Sequence, residues 1–190
     1  MKGLTQSTSL VIMAKAPRAG KVKTRLLPAL TAEEAADLYQ AMLLDTIERF
    51  SSLIEFELWL AFTPEGERAW FETNIDPEIQ LMLQRGDNLG QRMNHIVEDR
   101  LSSGAEAVLI LGTDLPTLPV EYIVQAADLL QGENRVVLGP TEDGGYYLIG
   151  LREPDIRLFT QIEWSTESVF QQTLRYGREI GKSILTIPAW

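Results

Sequence analysis

LVIMAKAPRAGKVKTRLL, residues 10–27, joins a short apolar run, Leu10 to Ala14, to a loop carrying Lys15, Arg18, Lys21, Lys23 and Arg25 around the turn formers Pro17 and Gly20. A short apolar run closed by turn residues indicates a buried strand, so five cations gather where a strand ends. The first acidic residue is Glu33, and six of the 17 Lys and Arg residues (Lys2 and the five of the loop) fall within the first 32 positions of a chain whose formal net charge is -10. A positive loop at a strand's carboxyl end is a seat for an anion such as phosphate; a basic loop that only faces solvent is the plainer alternative. Two familiar phosphate loops are excluded. Walker A requires Gly, four residues, then Gly-Lys and Ser or Thr, whereas Val22 follows Gly20-Lys21 and Lys15 holds the first Gly position. The dinucleotide fingerprint needs three glycines, and this loop has one.

With 190 residues, 45% of them hydrophobic and 23% charged, the composition predicts one globular domain spanning 1–190. No cysteine is present and His95 is the single histidine. Disulfides, thiolate metal sites and Cys nucleophiles are thereby excluded, and a bound metal would take oxygen ligands, which favours magnesium or manganese over zinc. A Ser-His-Asp triad would have to use His95, and no G-x-S-x-G elbow accompanies it. The apolar run at Leu10 is shorter than the roughly 7 to 15 residues of a signal peptide, and nothing approaches a membrane span. A cytoplasmic protein is expected. The acidic pI of about 4.6 argues against a nucleic-acid partner.

Further along, Thr31 and Glu34 form a capping-box pattern, and Ala35, Leu38, Tyr39, Met42, Leu43, Ile47 and Phe50 follow the helical period. Strands are expected at 55–62, 79–83, 107–111, 135–139, 146–151 and 184–187. Helices are expected at 64–73, from Leu89 (with Met93, Ile96, Val97 and Leu101 inward and His95 outward), from Pro119, and from Ser165. The run AVLIL at 107–111 reads as a strand covered on both faces. Strands alternating with helices predict a mainly parallel sheet between two helical layers, and the pair flanking Asp143 makes that sheet mixed.

In such sheets ligands bind beyond the carboxyl ends of the strands. That rule selects the basic loop, the segment from Arg85 to Gly90, and Asp114. A diphosphate needs cations on its oxygens and a divalent ion held by carboxylates; Asp114, directly after the buried strand, is the candidate ligand, with capping of the following turn as the alternative. Asp143 is the second candidate, as metal ligand, substrate contact or, with Glu142, a proton acceptor for an acceptor hydroxyl. Its Asp-Gly dipeptide is equally a hairpin signal. Trp164, beside Ser165 and Thr166, offers an aromatic wall to an acceptor or simple packing.

The segments MAKAPRAGKVKTRL, QRGDNLGQRM, LGTDLPTLP and GPTEDGGYYLIGL, with Trp164-Ser165-Thr166, together resemble a bacterial family of glycosyltransferases of the arsenosugar-biosynthesis type. The resemblance spans residue 10 to about residue 170. It implies a Rossmann-like three-layer sandwich, the nucleotide-diphospho-sugar transferase (glycosyltransferase A) fold, acting on a nucleotide or nucleotide-sugar and a small-molecule acceptor with Mg2+ or Mn2+. On that pattern Lys15, Lys23 and Arg25 contact phosphates within the loop that Ala16, Pro17 and Gly20 shape, and Lys23 assists departure of the nucleotide. Leu89, Gly90 and Arg92 approach the base or ribose, and Asp114 with Asp143 holds the metal. The KTRL segment is similar also to guanylyltransferases of molybdenum-cofactor and deazaflavin-cofactor synthesis, which implies nucleotidyl transfer with pyrophosphate release as a second activity class; those enzymes carry glycines where Ala14-Lys15-Ala16 stands. The family's pattern continues past the last strand into an aspartate-bearing segment, and this sequence stops at Trp190. A nucleotide-binding regulatory module without catalysis is the third class.

Overall fold

The structure, a computed structural model, describes residues 8–190; Lys2, counted above among the early cations, lies outside the described residues. Seven strands form one sheet: β1 (Thr8–Lys15), β2 (Glu57–Thr63), β3 (Gln80–Leu83), β4 (Ala107–Leu111), β5 (Arg135–Pro140), β6 (Tyr146–Leu151) and β7 (Ser183–Thr186), in the order β3-β2-β1-β4-β6-β5-β7. Only β6 runs against its neighbours, pairing antiparallel with both β4 and β5. The α/β class and mixed sheet are therefore as the sequence predicts.

Successive strand residues point to opposite faces, and the two cores follow from that alternation. On one face Leu10, Ile12, Leu60, Phe62, Leu109 and Leu111 pack against Leu43, Ile47 and Phe50 of α1 (Ala32–Ser51), Phe71 of α2 (Arg68–Asn74) and Ile123 of α4 (Val120–Leu129). On the other, Val11, Ala61, Val108, Ile110 and Ile149 meet Met93, Ile96 and Val97 of α3 (Leu89–Ser102) and Leu158 and Phe159 of α5 (Arg157–Thr160), with Phe170 and Leu174 of α6 (Val169–Glu179) partly buried beside them. A strand sandwiched this way must be apolar throughout, which is why β4 reads AVLIL.

Local chemistry sets the ends of the elements. Thr31 accepts from the Glu34 N–H at 3.2 Å and the Glu34 carboxylate accepts from the Thr31 N–H at 2.8 Å, the reciprocal capping box. Within β1 the polar Ser9 is buried ahead of the apolar run, where it donates to Glu57 of β2 at 3.2 Å. The segment 64–73 opens as a 3-10 turn, Glu65–Glu67, before α2. Two side chains expected inward face outward instead: Leu38 is 41% exposed and Leu89 43%. Leu38 sits where the rim of the apolar stripe turns toward solvent, and Leu89 is the first residue of α3, ahead of the turn that packs. The last helix starts at Val169 and not at Ser165, because Ser165 takes a left-handed φ of 68° that no helix accepts. α5, four residues long, is too short to show a period in the sequence.

Leu109 lies at the centre of the first core, with its methyl over Gly150 of the adjacent strand, where a Cβ would stand 2.7 Å away. Leu109→Ala is expected to cost about 2–5 kcal/mol, read as a fall in the urea midpoint without change of slope.

Candidate functional site

A cleft of about 1310 Å³ opens along the carboxyl ends of the parallel strands. β1 delivers Lys15 and the loop that follows, β3 delivers Gln84, β4 delivers Gly112, Thr113 and Asp114, and the β5–β6 connection delivers Thr141 and Asp143. Because β6 is reversed, its first residues, Tyr146 and Tyr147, rise at this same edge. Lys15, Lys21, Lys23 and Arg25 from one side thus share a single cavity with Asp114 and Asp143 from the other, together with Leu89, Arg92, Trp164, Ser165 and Thr166.

Buried hydroxyls tie the first half together. Tyr39 of α1 accepts a hydrogen bond from the Lys15 N–H at 2.9 Å and one from the Thr113 hydroxyl at 3.3 Å. Thr46, one α1 face further along, donates to the Thr113 carbonyl at 3.1 Å. Burial pushes the Tyr39 phenol above its ordinary pKa, with the Asp114 charge acting in the same direction. Gln84 donates its amide to the carbonyls of Ala14 (3.1 Å) and Ala61 (2.7 Å), fastening the ends of β1 and β2. The start of α3 is capped by Asn88, which accepts from the Gln91 N–H at 2.9 Å; Arg92 donates to the Gly86 carbonyl at 3.0 Å.

The charged groups are already engaged with one another. Lys23, in a left-handed backbone conformation (φ 47°) at the head of the 3-10 turn Thr24–Leu26, places its Nζ 2.8 Å from Asp114 Oδ2. Asp143 accepts from the Thr141 hydroxyl at 2.5 Å and from the Gly145 N–H at 3.4 Å. Those hydrogen bonds, the Thr141 one foremost, and the charge of Arg25 hold the Asp143 carboxyl below the usual carboxylate range. Asp143 is therefore a turn former that also lines the cleft.

Other sequence candidates sit elsewhere. Ala16 is buried, its N–H on the Thr63 carbonyl at 2.8 Å, and neither it, Pro17 nor Gly20 lines the cleft. Arg18 turns away to pair with Glu67. Glu142 also lies outside the lining. Gly90 is covered by Phe159 and Trp164: a Cβ there would lie 2.6 Å from the Phe159 carbonyl and 2.7 Å from the Trp164 indole nitrogen. It serves as the recess into which Trp164 fits. His95 is exposed on α3, its Nδ1 2.8 Å from the Arg85 carbonyl. Residues that sequence reasoning did not assign to the site are Tyr39, Gln84, Thr113, Thr141, Tyr147 and Trp190. Tyr39 reads as a core position in the helical pattern, and the one available signal was that a buried phenol must find a partner.

The donor set bears on a metal. Asp114 and Asp143 offer oxygen ligands only, and the described residues contain no group of three or more acidic or histidine side chains arranged as a cage. Oxygen-only donors are of the type that Mg2+ and Mn2+ take. No helix among the described residues is long and apolar enough to cross a membrane.

Residues 46–166 match the model of a family described as an uncharacterized protein conserved in bacteria (DUF2064). The chain belongs to this family. A crystal structure of a Desulfovibrio desulfuricans protein, provisionally described as a nucleotide-diphospho-sugar transferase, superposes with a TM-score of 0.91 at 30% identity over 98% of this chain and 81% of that one. The fold is the nucleotide-diphospho-sugar transferase fold. CMP:2-keto-3-deoxy-manno-octonic acid synthetase complexed with CTP shares it at a TM-score of 0.60 and 14% identity, over 97% and 90% of the two chains. So does Rv0371c of Mycobacterium tuberculosis, solved with manganese (0.55, 12%, 97% and 89%). Among curated proteins no match was found. The DUF2064 match takes in Gln84, Asp114, Asp143 and Trp164 but begins after the basic loop, which the Desulfovibrio protein's coverage includes.

Gly→Ala within a helix ordinarily stabilises by up to about 1 kcal/mol. At Gly90 the opposite sign is expected: a loss of stability in chemical denaturation and a red-shifted tryptophan emission as the Trp164 indole is pushed from its recess.

Proposed function

We propose that the protein is a cytoplasmic, single-domain transferase that binds a nucleoside-diphosphate sugar in this cleft and passes the sugar to a small-molecule acceptor. The observation that carries this reading is that four cations of the loop after β1 line the same cavity as Asp114 and Asp143, alongside Arg92, Asp87 and Glu167, and the description of the 30% identical relative agrees with it. Lys15, Lys21, Lys23 and Arg25 neutralise the diphosphate and steady the charge that develops on the departing nucleotide, in a position fixed before the ligand arrives. Tyr39 and Gln84 keep that loop in register with Asp114. Leu89 and Arg92, at the start of α3, border the base or ribose, while Trp164 walls the acceptor side.

Asp114 and Asp143 would hold Mg2+ or Mn2+ jointly with the phosphate oxygens, where the ion would supply charge neutralisation to the leaving diphosphate. A carboxylate held below its ordinary range is a weak proton acceptor and a ready cation ligand. Asp143 is accordingly assigned to the metal in preference to the acceptor hydroxyl. A second reading, nucleotidyl transfer from a nucleoside triphosphate with pyrophosphate release, is supported by the fold shared with the synthetase solved with CTP.

The products separate these readings. Incubation with nucleotide sugars, nucleoside triphosphates and candidate acceptors is expected to release nucleoside diphosphate; pyrophosphate would establish the second reading, and stabilisation by nucleotide without turnover would leave only a binding module. Asp114→Asn is expected to weaken manganese-dependent nucleotide binding by at least about 10- to 100-fold with an unchanged melting temperature, measured by calorimetric titration. Parent-like binding of nucleotide and manganese would refute the metal assignment.

A further inference from the structure

The basic loop is in contact with a carboxylate of the metal pair before any ligand is present. Lys23 Nζ lies 2.8 Å from Asp114 Oδ2, and the Lys23 side chain is only 19% exposed while that of Asp114 is 58%. The ammonium is thus held among neighbouring atoms, and the carboxylate presents its free side to the cavity. The Lys23 backbone from which the ammonium reaches is fixed, since it heads the 3-10 turn in a left-handed conformation and its carbonyl accepts the Leu26 N–H at 2.9 Å.

We propose that Lys23 is an internal counter-ion that occupies the place of the metal at Asp114, so that the cleft takes a divalent cation and a polyphosphate together, as the chelate, and binds either one alone poorly. The inference rests on the proposed phosphate-and-metal reading of the cleft. A dication arriving alone must lie within a few ångströms of the ammonium, and the two positive charges repel. A phosphate arriving alone must draw Lys23 from its carboxylate and leave Asp114 beside an anion. Arriving together, each satisfies the partner that the other displaces: the phosphate oxygens take the ammonium, and Asp114 takes the ion. The exchange trades one neutral arrangement for another. Lys23 is a positioning residue for the metal and a direct contact for the phosphate.

One substitution should therefore move two affinities in opposite directions. Lys23→Met is expected to tighten binding of Mn2+ alone by on the order of tenfold and to weaken binding of inorganic pyrophosphate alone by a similar factor, followed by manganese electron paramagnetic resonance and by calorimetry at low ionic strength. Lys23→Arg, which keeps the charge, should stay close to the parent in both titrations, and thermal melting of each variant confirms its fold. Mn2+ affinity that is unchanged or weaker in Lys23→Met, with pyrophosphate still loosened, would overturn the counter-ion role while leaving the phosphate site standing. Parent protein that binds neither pyrophosphate nor Mn2+ with pyrophosphate would overturn the underlying reading as well.

Discussion

The parallel pairing of β1 with β4 is the constraint on which the site depends. Val11 and Ile12 sit opposite Ile110 and Leu111, so both strands release their chains at the same edge, and the loop carrying the cations emerges beside the loop carrying Asp114. Tyr39 makes that adjacency exact by bonding to both ends at once. Without the pairing, the two charged segments would be separate surface features. With it, they enclose a cavity whose floor is the buried sheet and whose walls are irregular backbone.

Charge then gives the cavity its character. The chain as a whole is strongly acidic, so positive potential can only be local, felt within the Debye length of about 8 Å at physiological salt. The loop after β1 concentrates cations in the cleft, where Asp87, Asp114, Asp143 and Glu167 face them, and Arg18, which pairs with Glu67, is withdrawn from it. What remains faces inward: Lys15, Lys21, Lys23 and Arg25.

Much of this was legible in the residues. Period-two and period-3.6 patterns located the strands and the long helices, and the capping box at Thr31 marked the start of α1 to the residue. The rule that ligands lie beyond strand carboxyl ends, applied to the basic loop, the segment from Arg85 to Gly90 and Asp114, selected segments that each send residues into one cavity. Tertiary effects escaped. The polar strand residues Thr8 and Ser9 are buried because β2 offers Ser9 a partner, which no local window contains. Gly90 reads as a ligand contact by its place in a motif, yet its lack of a side chain makes room for Trp164. Tyr39 and Trp190 reach the site only through folding, from α1 and from the last residue of the chain.

Both outermost strands of the sheet, β3 and β7, are four residues long. An edge of that length offers few unpaired amide and carbonyl groups as a template for a foreign strand. On the β7 side the chain also runs on, with Ile187 donating to the Leu138 carbonyl and Trp190 to that of Pro140, which extends cover along β5. A seven-stranded sheet built mostly from apolar strands thereby limits fibrillar stacking through brevity at its margins.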